Sequence, residues 1–288
     1  MKKIFIKQSY TTLAFLTFLF VFASPVYAKN PHTIPVPTPT PPPPISITAP
    51  VLWGAYTGNS DSTMASFELY IGKKMSLDAM FWGWNEVFPS TTAGTQGKTL
   101  VVYWEPSFGY DQINNGSQDA YIAQFAQGAK NYGYPVVLAP FDEFNLNESA
   151  WGNSVNGNTP QSFIDAWRRV RNIFNANQAT NVKFALVYNN VSIPSASYAS
   201  FYPGSSYVDY VGVDGFNFGA QTFADVFAKA LPEANSFGKP VWIFSTGSVA
   251  PKSQFILDLG ASGYPWIWFN QSPFEIDTSS LSAFQTIL

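Results

Sequence analysis

Tyr134-Pro-Val-Val-Leu-Ala-Pro-Phe-Asp-Glu-Phe-Asn145 is an apolar run that ends in a carboxylate, Glu143, and an amide, Asn145. A loop carrying Trp151 follows it. A buried strand that finishes in polar groups is how a parallel β/α barrel supplies chemistry at one rim. Apolar runs of the same length recur on both sides of this one, and we count eight: Val51–Tyr56, Leu77–Trp82, Thr99–Trp104, Pro135–Pro140, Val182–Tyr188, Tyr207–Val213, Pro240–Phe244 and Tyr264–Phe269. Helical patterns lie between most of them, opened by Ser117 and by Thr159-Pro160, and again over Ala224–Phe237, Lys252–Leu259 and Ser279–Leu288. Asn85–Lys98 reads as loop. Eight strands alternating with helices close a (β/α)8 TIM barrel, and continuous apolar runs suit strands covered on both faces. A doubly wound open sheet is the alternative, but no Gly-rich phosphate loop follows the first strand.

What the chain lacks narrows its chemistry. It has no cysteine, and its one histidine, His32, lies in a proline-rich stretch. Ser-His-Asp and Cys-His catalysis and zinc sites built from His or Cys are thereby excluded, leaving carboxylates, hydroxyls and amides. No metal or cofactor is expected. Residues 1–28 read as a cleaved export signal, with Lys2, Lys3 and Lys7 before a short apolar run and Val26-Tyr-Ala28 at its end. The run is short of the roughly 20 residues that span a bilayer. Residues 29–48 are a Pro-rich spacer, and 49–288 form one domain. A secreted protein is expected, tethered to a cell surface by the spacer or free.

Charge is sparse at 11%. Without the three leader lysines, 12 basic residues (15 less 3) face 18 acidic ones. That balance argues against nucleic acid and anionic membrane as partners. Aromatic residues make up 17% of the chain, which suits a neutral, hydroxyl-rich ligand with apolar faces, an oligosaccharide or polysaccharide. A monomer is expected.

The segments after the strands carry the candidate site. They are Trp82-Gly-Trp84, Trp104-Glu105, Asp142-Glu143-Phe-Asn145 with Trp151, Tyr188-Asn-Asn190, Asp214-Gly-Phe216-Asn217, Ser245-Thr-Gly247 and Trp268-Phe-Asn270. In a barrel they converge on one rim.

Taken with Trp53-Gly-Ala-Tyr-Thr-Gly58 and Lys239-Pro-Val-Trp-Ile243, these motifs resemble glycoside hydrolase family 26, best known for β-mannanases. The resemblance covers essentially the whole domain and implies a retaining mechanism with two glutamates, after strands four and seven. Glu143 falls on the acid/base position and Asn145 on the amide that follows it. Ala139 and Asp142 stand where family members commonly carry Arg and His. Ser245, in Ile243-Phe-Ser-Thr-Gly247, stands where the nucleophile belongs, and Phe216 where a tyrosine bonds that nucleophile. Asp214 is a possible substitute carboxylate, as a base in an inverting arrangement, and Glu105 is another on the rim. Trp53, Trp82, Trp84, Trp104, Glu105, Asp142, Asn145, Trp151, Phe216, Asn217, Trp268 and Asn270 are the expected sugar contacts. A glycan-binding protein without turnover on the same scaffold is the rival reading.

Overall fold

The computed structural model describes residues 51–249 and 252–288. The expected leader and Pro-rich spacer lie outside them. Eight parallel strands close a barrel in chain order: β1 (Trp53–Tyr56), β2 (Leu77–Gly83), β3 (Thr99–Glu105), β4 (Val136–Pro140), β5 (Val182–Asn189), β6 (Tyr210–Asn217), β7 (Val241–Ser248) and β8 (Trp266–Phe269). Closure runs through β1 and β8, from Trp53 opposite Trp266 to Tyr56 opposite Phe269. The helices are α1 (Asp61–Ile71), α2 (Asp111–Asn114), α3 (Asp119–Tyr132), α4 (Pro160–Ala176), α5 (Phe223–Phe227), α6 (Ala230–Asn235), α7 (Lys252–Ala261) and α8 (Leu281–Thr286).

Local sequence explains most of these boundaries. Thr159 caps α4 by accepting from the Ser162 amide at 3.1 Å, while Ser162 Oγ accepts from the Thr159 amide at 2.8 Å, and Pro160 follows where no N–H is needed. The single helix expected over 224–237 is instead two. Pro232 has no amide hydrogen, and its ring crowds the carbonyl of Ala228, four residues back, where α5 ends. Helix α1 was not among the expected helices; Ser60 caps it, and Met64, Phe67, Glu68 and Ile71 form its buried face. Between β2 and β3 the structure has only a short 3-10 turn, Gly94–Gln96, as the loop reading of 85–98 anticipated.

Strand periodicity divides the core in two. One cluster joins strand residues such as Leu100, Val102 and Trp104 to helix residues such as Phe67, Phe125, Trp167 and Phe284, so it lies between barrel and helices. The other contains strand residues alone, among them Leu77, Ala79, Val101, Tyr103, Val137, Ala139, Val187, Trp242 and Phe244, and fills the barrel. Successive residues of a strand therefore serve different layers.

Candidate active site

The turn after β4 is built by alternation within Phe141-Asp-Glu-Phe144. Phe141 and Phe144 are buried against Phe163 of α4, Phe144 stacking on it at 3.9 Å between ring centres. Of the two carboxylates between them, Glu143 acts electrostatically on Glu105 and on Asp142, and both Asp142 and Glu143 act on Asp214. Phe141 and Glu143 both hold positive φ, 61° and 53°. Such backbone costs about 1–3 kcal/mol per residue and persists only where its surroundings fix it. Here the fixing groups are the Phe141 amide on the Trp104 carbonyl (3.1 Å) and the Glu143 amide on the Val187 carbonyl (3.1 Å). Trp151 adds its indole N–H to the Asp142 carbonyl at 2.8 Å. Gly152 beside it has no room for a side chain, since a Cβ would come within 2.4 Å of the Leu146 carbonyl oxygen.

Glu143 is partly buried, and Asn189 Nδ2 donates to its Oε1 at 2.8 Å. Burial pushes its carboxyl above the usual range, the Asn189 hydrogen bond opposes that, and Glu148 adds repulsion. Glu105, ending β3, is pushed up to about 7 by burial and by Glu143. Asp142 is held well above its usual value by burial, then by Glu105 and Glu143. Asp214, on β6, is likewise high from burial and from Glu143 and Asp142, with the Ser245 amide pulling the other way. Asn189, Asp214 and Ser245 stand level across β5, β6 and β7.

Aromatic rings connect across the strands at this end. Tyr103 stacks on Phe81 at 4.2 Å, Phe81 meets Tyr56 edge-on, and Tyr56 leads through Phe269 to Phe216. Beneath them β7 bulges: Val213 pairs with Ile243 but Asp214 with Ser245, so Phe244 is the extra residue. Its carbonyl accepts from the Tyr103 hydroxyl.

Several expected sugar contacts are placed elsewhere. Trp104 is fully buried between Trp84 and Phe125, with ring centres at 3.9 and 4.2 Å, on the helix side of the sheet. Trp84 donates to Gln118, and Trp82, also facing outward, donates to the Val87 carbonyl. Trp268 is buried against Phe284 and donates to the Phe274 carbonyl. Trp53 opens β1, at the end away from the rim, and packs on Trp266 and Phe284. The physical reason is the two-residue period: if Glu105 faces the barrel mouth, Trp104 must face the helices.

Three amides are also committed to the framework. Asn145, fully buried, donates to the Asn189 and Val191 carbonyls and to Ser192 Oγ, and accepts from the Asn189 amide. Asn217, equally buried, donates to Ser248 Oγ and accepts from the Gly219 and Gln221 amides. Asn270 Oδ1 accepts from the Ile276 amide. Asp142 is 5% and Asp214 2% exposed, too enclosed to offer a sugar much contact. Near the mouth remain Glu143, Glu105, Trp151 and Phe216, all partly buried, with Ser245 buried on β7. Asn189 lay in a rim segment singled out from sequence but was given no role, and Tyr103, Tyr56 and Phe81 were missing from the sequence-based site. The same alternation that misplaced the tryptophans would have found the last three, which share the inward face with Glu105.

The glycosyl hydrolase family 26 model matches residues 78–283. The chain belongs to that family. Endoglucanase H of Acetivibrio thermocellus is 33% identical over an alignment 233 residues long, which covers 74% of this chain and 25% of that protein. The chain therefore spans about a quarter of that relative's length. Among solved structures, the YdhT protein of Bacillus subtilis superposes with a TM-score of 0.65 at 17% identity, covering 84% of this chain and 86% of that one. The Bacillus subtilis mannanase man26 gives 0.62 at 17%, covering 83% and 86%. At these identities the structural likeness concerns the fold alone.

Proposed function

We propose that this family 26 barrel binds and acts on a β-linked polysaccharide of the mannan or β-glucan type, with Glu143 as proton donor and a retaining route weakened at Ser245. The observation that carries this reading is the state of Glu143. It lies in a strained turn after β4, is hydrogen-bonded by Asn189, and is kept protonated to higher pH than an ordinary glutamate, as a general acid requires. Aromatic rings on the same rim offer flat faces to pyranose C–H groups. The names of the relatives, an endoglucanase and a mannanase, support the substrate class.

On β7 the position of the second glutamate carries Ser245, and the nearby ring of Phe216 has no hydroxyl. A retaining enzyme needs a carboxylate about 5 Å from the acid. A serine without a base is a poor nucleophile and gives no charge to an oxocarbenium-like centre. Asp214 does not replace it, because it is enclosed and burial pushes its carboxyl well above the usual range. Losing three to five decades of rate corresponds to about 4–7 kcal/mol. Ser245 and Phe216 together also favour the rival, glycan binding without turnover.

Reducing-sugar release on mannans, mixed-linkage glucans and xylans, beside titration calorimetry with the matching oligosaccharides, separates the two readings. Binding with slow release that Glu143→Gln abolishes supports the first; binding with no release supports the second. Absence of binding to every glycan would remove both.

A further inference from the structure

The inward face of β6 changes character along its length. Asp214 is enclosed, Phe216 is partly buried, and Phe218, one residue past the strand, is 64% exposed. The two-residue period puts all three on one side of the sheet. Phe218 is part of an ordered group of rings. Its centre lies 6.2 Å from that of Phe216 and 5.5 Å from that of Phe274, and the latter two are 5.0 Å apart. Through Phe216 and Phe269 this trio continues into Tyr56, Phe81 and Tyr103 at the mouth.

Groups already assigned to the framework hold the trio in place. Asn217 Oδ1 accepts from the Gly219 and Gln221 amides at 2.9 and 3.1 Å and so fixes the turn that carries Phe218. Asn270, accepting from the Ile276 amide, and Trp268, donating to the Phe274 carbonyl, fix the loop that carries Phe274. Phe274 is buried over Gly247, where a Cβ would come within 2.7 Å of its ring. Beside Phe218 the space is open, since a Cβ added to Gly219 would meet nothing within 4 Å. Neither 215–224 nor 264–274 contains a charged residue. A large ring kept in water by a pinned turn, in neutral surroundings, suits a neutral ligand with an apolar face.

We propose that Phe218, backed by Phe216 and Phe274, is a stacking subsite for a distant sugar unit of the same glycan chain that reaches Glu143. The proposal rests on the reading of the mouth as a β-glycan site and adds a second point of attachment to it. Asn189, which holds Glu143, stands opposite Asp214. Four residues of extended chain from Asp214 place Phe218 about 13 Å further along. A single pyranose does not bridge that distance, so affinity grows with the length of the chain bound.

The test titrates the whole chain with β-mannan and mixed-linkage β-glucan oligosaccharides, from disaccharide to hexasaccharide, by calorimetry and saturation-transfer NMR. Affinity in the wild type should rise with length. Phe218→Ala should lower the ratio of hexasaccharide to disaccharide affinity about fivefold, the loss of one aromatic contact. Phe218→Leu, apolar without a flat face, should do the same, and Phe218→Trp should keep the ratio. Circular dichroism shows that each variant is folded, as an exposed position allows. An unchanged ratio in Phe218→Ala would overturn the proposal, and so would a wild type that binds all lengths equally; both results leave the reading of the mouth intact. A Leu variant that matches the wild type would replace stacking by plain apolar contact and overturn it too. A second copy of this chain seated on Phe218 would show in sedimentation as a concentration-dependent mass that Phe218→Ala lowers, again against the proposal. A wild type that binds none of these glycans would remove the site reading and the subsite together.

Discussion

The two sides of the barrel mouth are built on opposite plans. After β4 the chain leaves regular structure at once, with two left-handed residues in three positions and a carboxylate between packed phenylalanines. Across the barrel, β6 and β7 continue as a paired ladder to Asn217 and Ser248, well past the apolar core. Gly215, Gly247 and Thr246 fit that extension, Thr246 donating to the Gly215 carbonyl at 2.7 Å. In the proposed function, strain is retained where the proton donor sits, and regular hydrogen bonding prevails where a nucleophile would have to project. A strained conformation persists only if the rest of the structure over-determines it. The β4 turn has such support from Asn145, Asn189 and Trp151.

The strongest way to break this contrast is to restore the β7 side. Ser245→Glu with Phe216→Tyr should raise hydrolysis of β-glycans about 1000-fold, roughly 4 kcal/mol of barrier. Ser245→Glu alone should recover less, because an unanchored carboxylate samples unproductive rotamers. Steady-state reducing-sugar assays decide it, and a wild type already as fast as the double variant would show that another carboxylate works with Glu143.

Stability should respond on both sides. Asn145→Ala and Asn217→Ala each strand several buried backbone groups, so each should cost about 2–4 kcal/mol in urea unfolding. Only Asn145→Ala should also impair proton delivery, because it frees the backbone that carries Asn189. Equal functional loss in the two variants would erase the distinction between the sides.

A smaller effect belongs to pH. Glu105 is pushed up to about 7 in the fold, above its unfolded value. The unfolded state therefore binds fewer protons near neutrality, and the contribution is fully present at low pH and lost as pH rises through about 7. Melting temperature should fall between mildly acid and mildly alkaline solution. Glu105→Gln should remove about 2 kcal/mol of that slope, less than the full shift implies because the rim is partly solvated. An unchanged slope in the variant would place the titration elsewhere.

The smallest expected effect is at Asn189. Losing its hydrogen bond should raise the Glu143 carboxyl further and move the alkaline limb of activity to higher pH. In Asn189→Ala built on the restored double variant, kcat/KM should drop about tenfold, or 1.4 kcal/mol. A pH profile that stays in place would show that Asn189 does not act on Glu143.

Sequence by itself determined the barrel, because eight apolar runs at regular intervals have few other ways to bury both faces. It also determined that Glu143 follows a strand closely and that histidine and thiol chemistry are absent from the domain. Tertiary structure decided which side of the sheet each aromatic serves. Trp104 and Glu105 are neighbours in sequence yet face opposite layers, so closeness to a strand end says nothing about access to the mouth. It decided as well that Asn145 and Asn217 tie loops together, and that Tyr103 and Asn189 stand beside the carboxylates. The roles of Asn145, Asn189 and Tyr103 rest on contacts between residues 44 to 141 positions apart, such as Asn145 with Asn189 and Tyr103 with Phe244. Such pairs leave no local pattern in the chain, because it is the closing of the barrel that brings them together.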